Sequence, residues 1–380
     1  MNQSIDLQKN ISLAPLTTLK IGGPARFFVR AETEQQVIDA FNFARENQLE
    51  LFILGGGSNI LVSDTGFDGL VVQIALKGIL SEPPAIAGGL TLPGEMPIAR
   101  NNHHAIAGGS DPLQTARITV SAGEDWDEFV EYCVEKDLAG IECMSGIPGF
   151  VGGTPVQNVG AYGQEVSETI VAVRCLDRTS GEILQLMNAD CGFGYRTSIF
   201  NTSMRDRFIV LSVTYALTQG GEPKIVYKDL KNVFDYRTPS MAETREAVLR
   251  IRRAKSMVID ANDPNSQSAG SFFKNPIVKK EKIAEIKAKM KIENVPHFTI
   301  DENLVKIPAA WLIEGAGFRK GYAKGNVGLS TKHTLAIVNR GTASAQEIVN
   351  FMNEVQLKVE NDFGIELKPE PVFIGFKASD

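Results

Sequence analysis

The chain lacks the cysteine pattern of a metalloprotein, a redox protein or a disulfide-stapled protein. It has four cysteines in 380 residues, and no two of them have C-x-x-C spacing. We therefore expect reduced, mostly buried thiols at Cys133, Cys143, Cys175 and Cys191. Histidine is equally sparse, and the pair His103 and His104 has no nearby acidic or cysteine partner. We predict surface loop histidines there and no metal site.

The chain also lacks long apolar runs and an excess of positive charge. No run approaches the length needed to cross a bilayer, and the first twenty residues contain no apolar signal-peptide core. We expect a cytoplasmic protein that does not insert into membranes. The formal net charge is -6, whereas a general nucleic-acid binder is usually basic. We expect small-molecule ligands and no nucleic acid.

The sequence does contain clear signals for helices and strands. A length of 380 residues indicates two or three domains. Four helices are predicted to begin at an N-cap residue that is followed three positions later by Glu or Gln: Thr33, Asp125, Ser240 and Ser344. The last of these should end at Gly364. Strands are predicted at 26–31, 50–54, 70–74, 117–122, 170–177, 182–186 and 207–217. This mixture indicates an α+β fold.

Residues 78–116 interrupt this pattern. The segment contains five prolines and two Gly-Gly pairs, so we predict a long irregular insertion between two strands.

Leu54–Asp64 (LGGGSNILVSD) is the first of two glycine-rich segments. Consecutive backbone N–H groups in such a turn form a site for an anion such as a pyrophosphate. The G-x-G-x-x-G and G-K-[ST] nucleotide motifs are absent. The alternative interpretation is a tight hairpin turn.

Ser145–Gly163 is the second glycine-rich segment, with glycines at 146, 149, 152, 153, 160 and 163. Such a stretch is neither a regular helix nor a regular strand. Its apolar residues are too many for a disordered linker. An ordered loop of this kind usually wraps a ligand. Two such loops about a hundred residues apart suggest one extended ligand, such as a dinucleotide.

Six motifs occur in order along nearly the whole chain: LKIGGPARFF, LGGGSNILVSD, GIPGFVGGTPVQNVGAYG, FGYRTSIF, SAGSFFKNP and LKPEPVFIG. Together they resemble the UDP-N-acetylenolpyruvoylglucosamine reductases of bacterial cell-wall synthesis. The resemblance implies an FAD-binding fold of the vanillyl-alcohol oxidase type, made of two α+β subdomains, plus a C-terminal α+β substrate-binding domain. We predict an FAD-binding domain at 1–255, divided near residue 75, and a substrate-binding domain at 256–368. Residues 369–380 should return to the FAD-binding domain as a strand.

The resemblance also implies a reaction and three catalytic residues. NADPH, acting through the flavin, reduces an enolpyruvyl ether of UDP-N-acetylglucosamine to UDP-N-acetylmuramate. Arg196 resembles the arginine that stabilises the enolate, because a guanidinium offers a fixed fork of donors to a carboxylate. Glu370 resembles the catalytic glutamate, and Ser271 the proton donor. The alternatives are a surface salt bridge for Arg196, a solvent-facing charge for Glu370 and a packed loop residue for Ser271.

Binding residues follow from the same resemblance. Tyr227, Lys255, Asn275 and Tyr195 match positions for the substrate, and Tyr227 marks a subgroup in which a tyrosine-bearing segment closes over it. Lys255 could instead merely add positive charge at a helix C-terminus. Residues expected to bind FAD are Gly55, Gly56, Gly57, Ser58, Asn59, Ile147, Pro148, Gly149, Gly153, Thr154, Asn158, Gly160, Ala161, Tyr162 and Gly163.

Two further expectations concern the attachment of FAD and the oligomeric state. All four histidines lie outside both glycine-rich segments, so we expect non-covalent FAD. We also expect a monomer. Two other functions remain open at this point, a related FAD oxidase or dehydrogenase and a non-catalytic nucleotide-sugar sensor. The sensor would not need Ser271 and Glu370.

Overall fold

The computed structural model describes residues 5–82 and 114–376. Seven α-helices occur in this part of the chain, and we number them α1 to α7: Glu34–Glu46, Trp126–Glu135, Lys228–Phe234, Met241–Ala254, Glu281–Met290, Ala309–Gly315 and Ala345–Phe363. The four predicted helices are α1, α2, α4 and α7. Each begins immediately after its predicted N-cap residue, whose side chain accepts a hydrogen bond from the first turn. Helix α7 ends at Gly364, as predicted.

Short strands connect these helices. In chain order β1 to β20 they are Gln8–Ser12, Pro24–Ala31, Leu51–Leu54, Ile60–Val62, Phe67–Ile74, Ile79–Glu82, Thr115–Ser121, Leu138–Ala139, Gly160–Ala161, Gln164–Glu165, Ile170–Asp177, Ile183–Met187, Phe208–Gln219, Ile277–Lys279, Phe298–Thr299, Leu304–Lys306, Ala323–Lys324, Val327–Leu329, Ile337–Asn339 and Val372–Ile374.

Two larger sheets build the first part of the molecule. The first has the order β1-β2-β5-β3, with β5 parallel to both of its neighbours. The second has the order β12-β11-β13-β7-β6 and is antiparallel throughout, with β8 also paired to β13. The predicted α+β class is confirmed.

The predicted insertion begins and ends in ordered structure. Its ends form β6 and β7, which pair antiparallel from Ile79 opposite Val120 to Glu82 opposite Arg117. The prediction of irregular structure is therefore wrong for residues 79–82 and 115–116, because both ends add strands to the second sheet. The remainder of the insertion, with His103 and His104, lies outside the described residues.

One continuous core joins the two large sheets. It contains Phe41 and Leu70 from the first sheet region and Trp126, Phe129 and Tyr215 from the second. The three aromatic rings pack edge-on or tilted against one another, with centroids 5.2 to 6.0 Å apart. The first two thirds of the chain therefore share a rigid scaffold on which loops can be held precisely in place.

A separate core forms in the C-terminal part. Helix α7 contributes Ile348, Phe351, Val355 and Val359, which recur at helical spacing along its buried face. Two three-stranded antiparallel sheets, β14-β16-β15 and β17-β18-β19, lie beside it. The domain boundaries given above stay predictions. The last strand, β20, leaves this core and pairs parallel with β4.

Candidate active site

The first glycine-rich segment connects strands of different sheets. Leu51–Leu54 belongs to the first large sheet, whereas Ile60–Val62 pairs with the C-terminal strand. The alternative interpretation as a hairpin is therefore wrong. Gly57 adopts a φ of +65°, and a Cβ there would lie 1.9 Å from the carbonyl oxygen of Leu16. The fold itself requires glycine at this position.

The two glycine-rich segments are in direct contact. The Ser58 hydroxyl donates a 2.9 Å hydrogen bond to the carbonyl oxygen of Pro148. A Cβ on Gly56 would lie 2.7 Å from the Cα of Gly149, so the two backbones approach each other closely. One extended ligand could therefore contact both segments at once.

Gly55 and Gly153 border open space in this region. A Cβ built on either residue would meet no atom within 4 Å, and neither has a left-handed backbone. These two positions could accept a side chain without disturbing the protein. They also leave room for a ligand to approach the backbone.

We predict that Gly55→Ala weakens FAD binding without destabilising the protein. Its methyl group would occupy only the ligand's space, so the apoprotein should melt at the parent temperature while FAD affinity falls at least about tenfold, or 1.4 kcal/mol. Flavin fluorescence titration and thermal unfolding of the apoprotein measure the two quantities. Gly57→Ala is the contrasting variant. It should lower both the FAD affinity and the melting temperature of the apoprotein. Unchanged FAD affinity in Gly55→Ala would contradict the predicted site.

Side-chain hydrogen bonds hold the second glycine-rich segment in shape. Thr154 shares a 2.8 Å hydrogen bond with the buried hydroxyl of Tyr215. The Asn158 amide donates to the Gly194 carbonyl at 3.0 Å and to Glu165 at 2.8 Å. Since the Thr154 and Asn158 side chains are engaged within the protein, they brace the loop. Backbone groups remain the direct means by which this part of the loop could bind a cofactor.

The end of this segment is a short hairpin. Gly160–Ala161 pairs antiparallel with Gln164–Glu165, and the left-handed residues Tyr162 and Gly163 form its tip. The Tyr162 ring meets Tyr227 edge-on with centroids 5.5 Å apart. A predicted cofactor residue and a predicted substrate residue are therefore in contact. Ile147, Pro148 and Gly149 lie at the opposite end of the loop.

Arg196 lies in a tight turn with an unusual backbone conformation. Gly194 and Thr197 exchange two backbone hydrogen bonds of 3.0 and 3.1 Å, which leaves Tyr195 and Arg196 at the tip. Arg196 has a φ of +55°, in the left-handed region that arginine rarely adopts. Such a conformation is held only where the surrounding structure enforces it, and it is concentrated at functional sites.

The guanidinium of Arg196 is fixed by three acceptors. It donates to the Gly160 carbonyl at 2.7 Å and to the Asn158 carbonyl at 3.4 Å. Its Nε lies 3.5 Å from a carboxylate oxygen of Glu370. The Arg196 side chain is 22% exposed and that of Glu370 14%. Neither residue is the exposed charge that the alternatives required, and the two predicted catalytic residues form a largely buried pair.

Backbone pairing brings Glu370 beside the SAGSFFKNP segment. The Glu370 N–H donates to the Phe272 carbonyl at 2.8 Å, and the Lys274 N–H donates to the Lys368 carbonyl at 3.0 Å. Asn59 of the first glycine-rich segment donates from its amide to the Glu370 carbonyl at 3.3 Å. Three segments that are distant in sequence thus meet at Glu370.

Burial raises the pKa of Glu370 above its usual value of 4.5, although the positive charges of Arg196 and Lys274 act in the opposite direction. The 3.5 Å contact with Arg196 favours the carboxylate, yet the loss of solvent outweighs it. Glu370 therefore keeps its proton to a higher pH than an ordinary glutamate. This property suits a residue that shares or positions a proton.

The raised pKa of Glu370 predicts a pH-dependent effect of Glu370→Gln on stability. Above pH 4.5 the unfolded chain ionises Glu370 while the folded protein still holds the proton, so the parent loses stability as the pH rises. Glutamine cannot ionise. The melting temperature of Glu370→Gln relative to the parent should therefore increase from pH 4.5 upward and level off above the folded pKa. Thermal unfolding across this range measures it, and a constant difference would contradict the shift.

Ser271 precedes the residue that pairs with Glu370. Phe272 and Phe273 are buried, with rings 5.5 Å apart, and they fix the backbone of this segment. Ser271 itself is only partly buried, and within residues 5–82 and 114–376 its hydroxyl has no hydrogen-bond partner. A fixed backbone with a free hydroxyl is what a proton donor needs.

Asn275 and Tyr195 lie together beside the catalytic pair. The Asn275 side-chain oxygen accepts a 2.9 Å hydrogen bond from the N–H of Ala309, at the start of α6. Asn275 also interacts with the hydroxyl of Tyr195, whose pKa is raised by burial. The ammonium of Lys306 lies 4.1 Å from the centre of the Tyr195 ring. Tyr195 therefore joins the catalytic turn to the C-terminal part of the molecule.

Lys255 and Tyr227 form a second group near the tip of the glycine-rich loop. Lys255 directly follows α4 as its C-cap residue, as the alternative interpretation proposed. Its ammonium lies 3.1 Å from Asp229, which follows Tyr227 by two residues. This exposed ion pair is compatible with both interpretations of Lys255.

The structure adds three residues that the sequence interpretation missed. Lys306, Asp229 and Arg252 all contact residues predicted to form the site. Lys306 has a sequence signal in retrospect, since it is the one charge in LVKIPAAWLI. Arg252 and Asp229 have no comparable signal, because each lies among other charged residues in the sequence.

The described residues contain no group of three or more His, Cys, Asp or Glu side chains that could hold a metal ion. Among the same residues, no helix is both long and apolar enough to cross a bilayer.

Comparison with protein families divides the chain into two matching regions. An FAD binding domain matches residues 25–93 and 101–187. The C-terminal domain of UDP-N-acetylenolpyruvoylglucosamine reductase matches residues 263–374. The two matches together cover both glycine-rich segments, Ser271 and Glu370. The expected FAD-binding fold with a further C-terminal domain is confirmed.

Full-length relatives and a solved structure agree with this assignment. UDP-N-acetylenolpyruvoylglucosamine reductase of Saccharopolyspora erythraea is 41% identical, covering 96% of this chain and 94% of the relative. The reductase of Thermobifida fusca is 40% identical over 97% and 98%. The crystal structure of the reductase from Thermus caldophilus has the same fold, with a TM-score of 0.60, 22% identity and coverage of 97% and 98%. The chain belongs to the UDP-N-acetylenolpyruvoylglucosamine reductase family.

Proposed function

We propose that the protein reduces the enolpyruvyl ether of UDP-N-acetylglucosamine to UDP-N-acetylmuramate, with bound FAD and with NADPH as co-substrate. The observation that carries this proposal is the meeting of Arg196, Glu370 and the Ser271 segment beside two touching glycine-rich loops. A carbon–carbon double bond needs one hydride and one proton for its reduction. The site combines a place for a flavin with a buried acid and a free hydroxyl.

The two loops fit FAD. We place its pyrophosphate against the backbone of Gly55–Asn59, and its flavin and ribityl chain along Ile147–Gly163. The open space beside Gly55 and Gly153 supports this placement, because a ligand can approach the bare backbone there. When bound, FAD supplies the hydride that it has taken from NADPH. The side chains of the protein orient the substrate, stabilise the negative charge of the enolate and supply the proton.

Arg196 stabilises the negative charge that develops on the substrate. Hydride addition to the methylene carbon leaves an electron pair on the carbon beside the carboxylate. The resulting enolate spreads negative charge onto the carboxylate oxygens. The Arg196 guanidinium, which Gly160 and Glu370 hold in place, is already oriented to donate hydrogen bonds to these oxygens. The left-handed turn fixes this orientation before substrate arrives.

Ser271 then donates the proton to the carbon beside the carboxylate. Serine is a poor acid, but an enolate carbon is far more basic than water, so the transfer can be downhill. Glu370 keeps its proton to a higher pH than an ordinary glutamate, and its N–H donates to the carbonyl of Phe272, the residue after Ser271. We assign Glu370 to sharing a proton with the enolate or positioning Ser271 for this step.

The UDP part of the substrate is assigned to Tyr227, Lys255, Asn275 and Tyr195. A lysine is a natural partner of a diphosphate, and in the described part of the chain Lys255 is paired with the half-buried Asp229 alone. We further propose a cytoplasmic monomer, with domains divided as predicted. The four buried, unpaired cysteines support a reducing compartment.

Variants of the Lys255–Asp229 pair test the diphosphate assignment. We predict that Lys255→Ala raises the KM for the UDP substrate about ten- to a hundredfold, since hydrogen bonds to charged groups contribute about 1.5 to 3 kcal/mol. The value of kcat should change less. Asp229→Asn is the matched control, which removes the partner but keeps the ammonium, and should leave KM unchanged or lower. If steady-state assays showed equal increases in KM for both variants, the ion pair would have a structural role only.

Turnover of the purified yellow protein tests the overall proposal. Without oxygen, its flavin should be bleached by NADPH, and NADPH should be consumed steadily only when enolpyruvyl-UDP-N-acetylglucosamine is present. Plain UDP-N-acetylglucosamine should not support turnover. Oxidation of another sugar or hydroxy acid would indicate the oxidase alternative. Binding without any turnover would indicate the sensor.

A further inference from the structure

Glu142 is a fully buried carboxylate at the base of the second glycine-rich segment. It precedes the segment, and Gln164 follows it. The Gln164 amide donates to Oε1 of Glu142 at 2.7 Å, and the Gln164 side-chain oxygen accepts a 2.8 Å hydrogen bond from the N–H of Cys143. The N–H of Gly140 donates to Oε2 of Glu142 at 2.8 Å. These bonds hold the two ends of the glycine-rich segment together.

The same carboxylate also holds the residues that lead to Tyr227. The N–H of Lys224 donates to Oε1 of Glu142 at 2.9 Å. This one oxygen therefore accepts hydrogen bonds from both Gln164 and Lys224. Residues 224–227, which we call the tyrosine segment, thus start from the base of the second glycine-rich segment.

The tyrosine segment and the glycine-rich segment meet again at their tips. A Cβ on Gly163 would lie 2.3 Å from a methyl carbon of Val226, so Val226 packs directly on the backbone of the hairpin. The ring of Tyr162 meets that of Tyr227 edge-on. Val226 is 49% exposed and Tyr227 40%. The tyrosine segment therefore lies at the surface, and the glycine-rich segment supports it from beneath at both ends.

We propose that Glu142 is a positioning residue through which bound FAD places Tyr227 for the UDP substrate. FAD orders the glycine-rich segment along which we placed it, and the shared carboxylate and the contacts at the tips extend this order to the tyrosine segment. UDP then meets a Tyr227 that is already fixed, so less conformational entropy is lost when UDP binds. Since such coupling is reciprocal, FAD and UDP strengthen each other's binding. This inference rests on the proposed placement of FAD and on the assignment of Tyr227 to the substrate.

Calorimetric titration of UDP into FAD-free and FAD-saturated protein tests the proposal without NADPH and without turnover. We expect the FAD-saturated parent to bind UDP at least about fivefold more tightly, which is the lower end of typical coupling between sites. In Glu142→Gln an amide nitrogen replaces one of the two accepting oxygens, so the two Kd values should agree within about twofold.

Asp177→Asn is the matched control for Glu142→Gln. Asp177 is also a buried carboxylate, but it binds Arg207 and the N–H of Thr179. Its replacement should lower the melting temperature and leave the FAD-dependent difference in UDP affinity unchanged. A residue with a purely structural role would behave in the same way, so the loss of this difference in Glu142→Gln separates positioning from stability.

Two results of the titrations would overturn the proposal. One is equal UDP affinity of the FAD-free and FAD-saturated parent. The other is a difference that persists in Glu142→Gln, as expected if the two ligands simply touch each other. Should Glu142→Gln fail to fold or to bind FAD, Val226→Ala takes its place, because its half-exposed side chain contributes little to stability. An undiminished difference in Val226→Ala would equally overturn the proposal.

Hydrogen exchange of the tyrosine segment decides the question even if UDP does not bind. Mass spectrometry should show that FAD slows the exchange of the amides at 224–227 in the parent and in Asp177→Asn, but not in Glu142→Gln. Exchange in the parent that FAD leaves unchanged would overturn the proposal. A lack of UDP binding or of reductase turnover, in contrast, would contradict the proposed function, so the two failures are distinguishable.

Discussion

Ser271→Ala should separate the two half-reactions of the proposed enzyme. Reduction of the flavin by NADPH needs no proton from Ser271 and should proceed at nearly the parent rate. Reoxidation by enolpyruvyl-UDP-N-acetylglucosamine should slow by at least the ~10²- to 10⁴-fold typical of a general acid. The Ser271 hydroxyl has no hydrogen-bond partner in the described residues, so its removal should leave the melting temperature close to the parent value. Anaerobic stopped-flow absorbance at the flavin band measures both rates.

Ser268→Ala is the matched control for Ser271→Ala. The Ser268 hydroxyl accepts a 3.2 Å hydrogen bond from the N–H of Gly270, and the residue is buried. Its loss should lower stability and affect both half-reactions alike. If Ser271→Ala slowed both half-reactions equally, as expected for Ser268→Ala, Ser271 would be a packed loop residue and not the proton donor.

Arg196→Ala should have the second large effect. Removal of one donor that stabilises an oxyanion costs about 10²- to 10³-fold in rate, and we expect reoxidation by the UDP substrate to fall by at least this factor. Flavin reduction by NADPH should stay within a few fold of the parent. The same anaerobic stopped-flow experiment measures both steps.

A double variant distinguishes catalysis by Arg196 from support of its neighbour. Arg196→Ala also removes the cation that lies 3.5 Å from the buried Glu370 carboxyl group, so ionisation of Glu370 becomes more costly and the fold should be less stable at high pH. Adding Glu370→Gln removes the ionisable group and should restore much of the melting temperature. The proposal predicts that the double variant is reoxidised more slowly than Glu370→Gln alone, because Arg196 acts on the enolate itself. Equal reoxidation rates in Glu370→Gln and in the double variant would show that Arg196 acts only through Glu370.

Local sequence signals predicted local structure well. The helices after Thr33, Ser240 and Ser344 begin with reciprocal hydrogen bonds between the N-cap residue and the residue three positions later. The strand at 170–177 was predicted with its observed bounds. These features depend on residues a few positions apart, so the sequence alone contains their physical cause.

Pairings between distant segments could not be derived in the same way. Val372–Ile374 pairs parallel with Ile60–Val62, and the Asn59 amide reaches the Glu370 carbonyl. Nothing in the local pattern of either segment specifies its partner. The same holds for the strand at 79–82, because its few residues become a strand only by pairing with Thr115–Ser121.

The chemical character of the site also depends on tertiary structure. Glu370 between two prolines was compatible with a solvent-facing charge, and only its burial beside Arg196 raises its pKa. The left-handed backbone of Arg196 and the unpartnered Nε of Arg252 likewise have no signature in the sequence. The resemblance to a family identifies the candidate site residues, whereas the structure gives their geometry and electrostatics.

A single turnover of the parent protein tests the central claim most directly. The flavin is first reduced with one equivalent of NADPH without oxygen, and enolpyruvyl-UDP-N-acetylglucosamine is then added. We predict that the yellow absorbance returns and that UDP-N-acetylmuramate forms in an amount equal to the flavin. A flavin that stays bleached in the presence of this substrate, or that is reoxidised without forming this product, would contradict the proposed reaction.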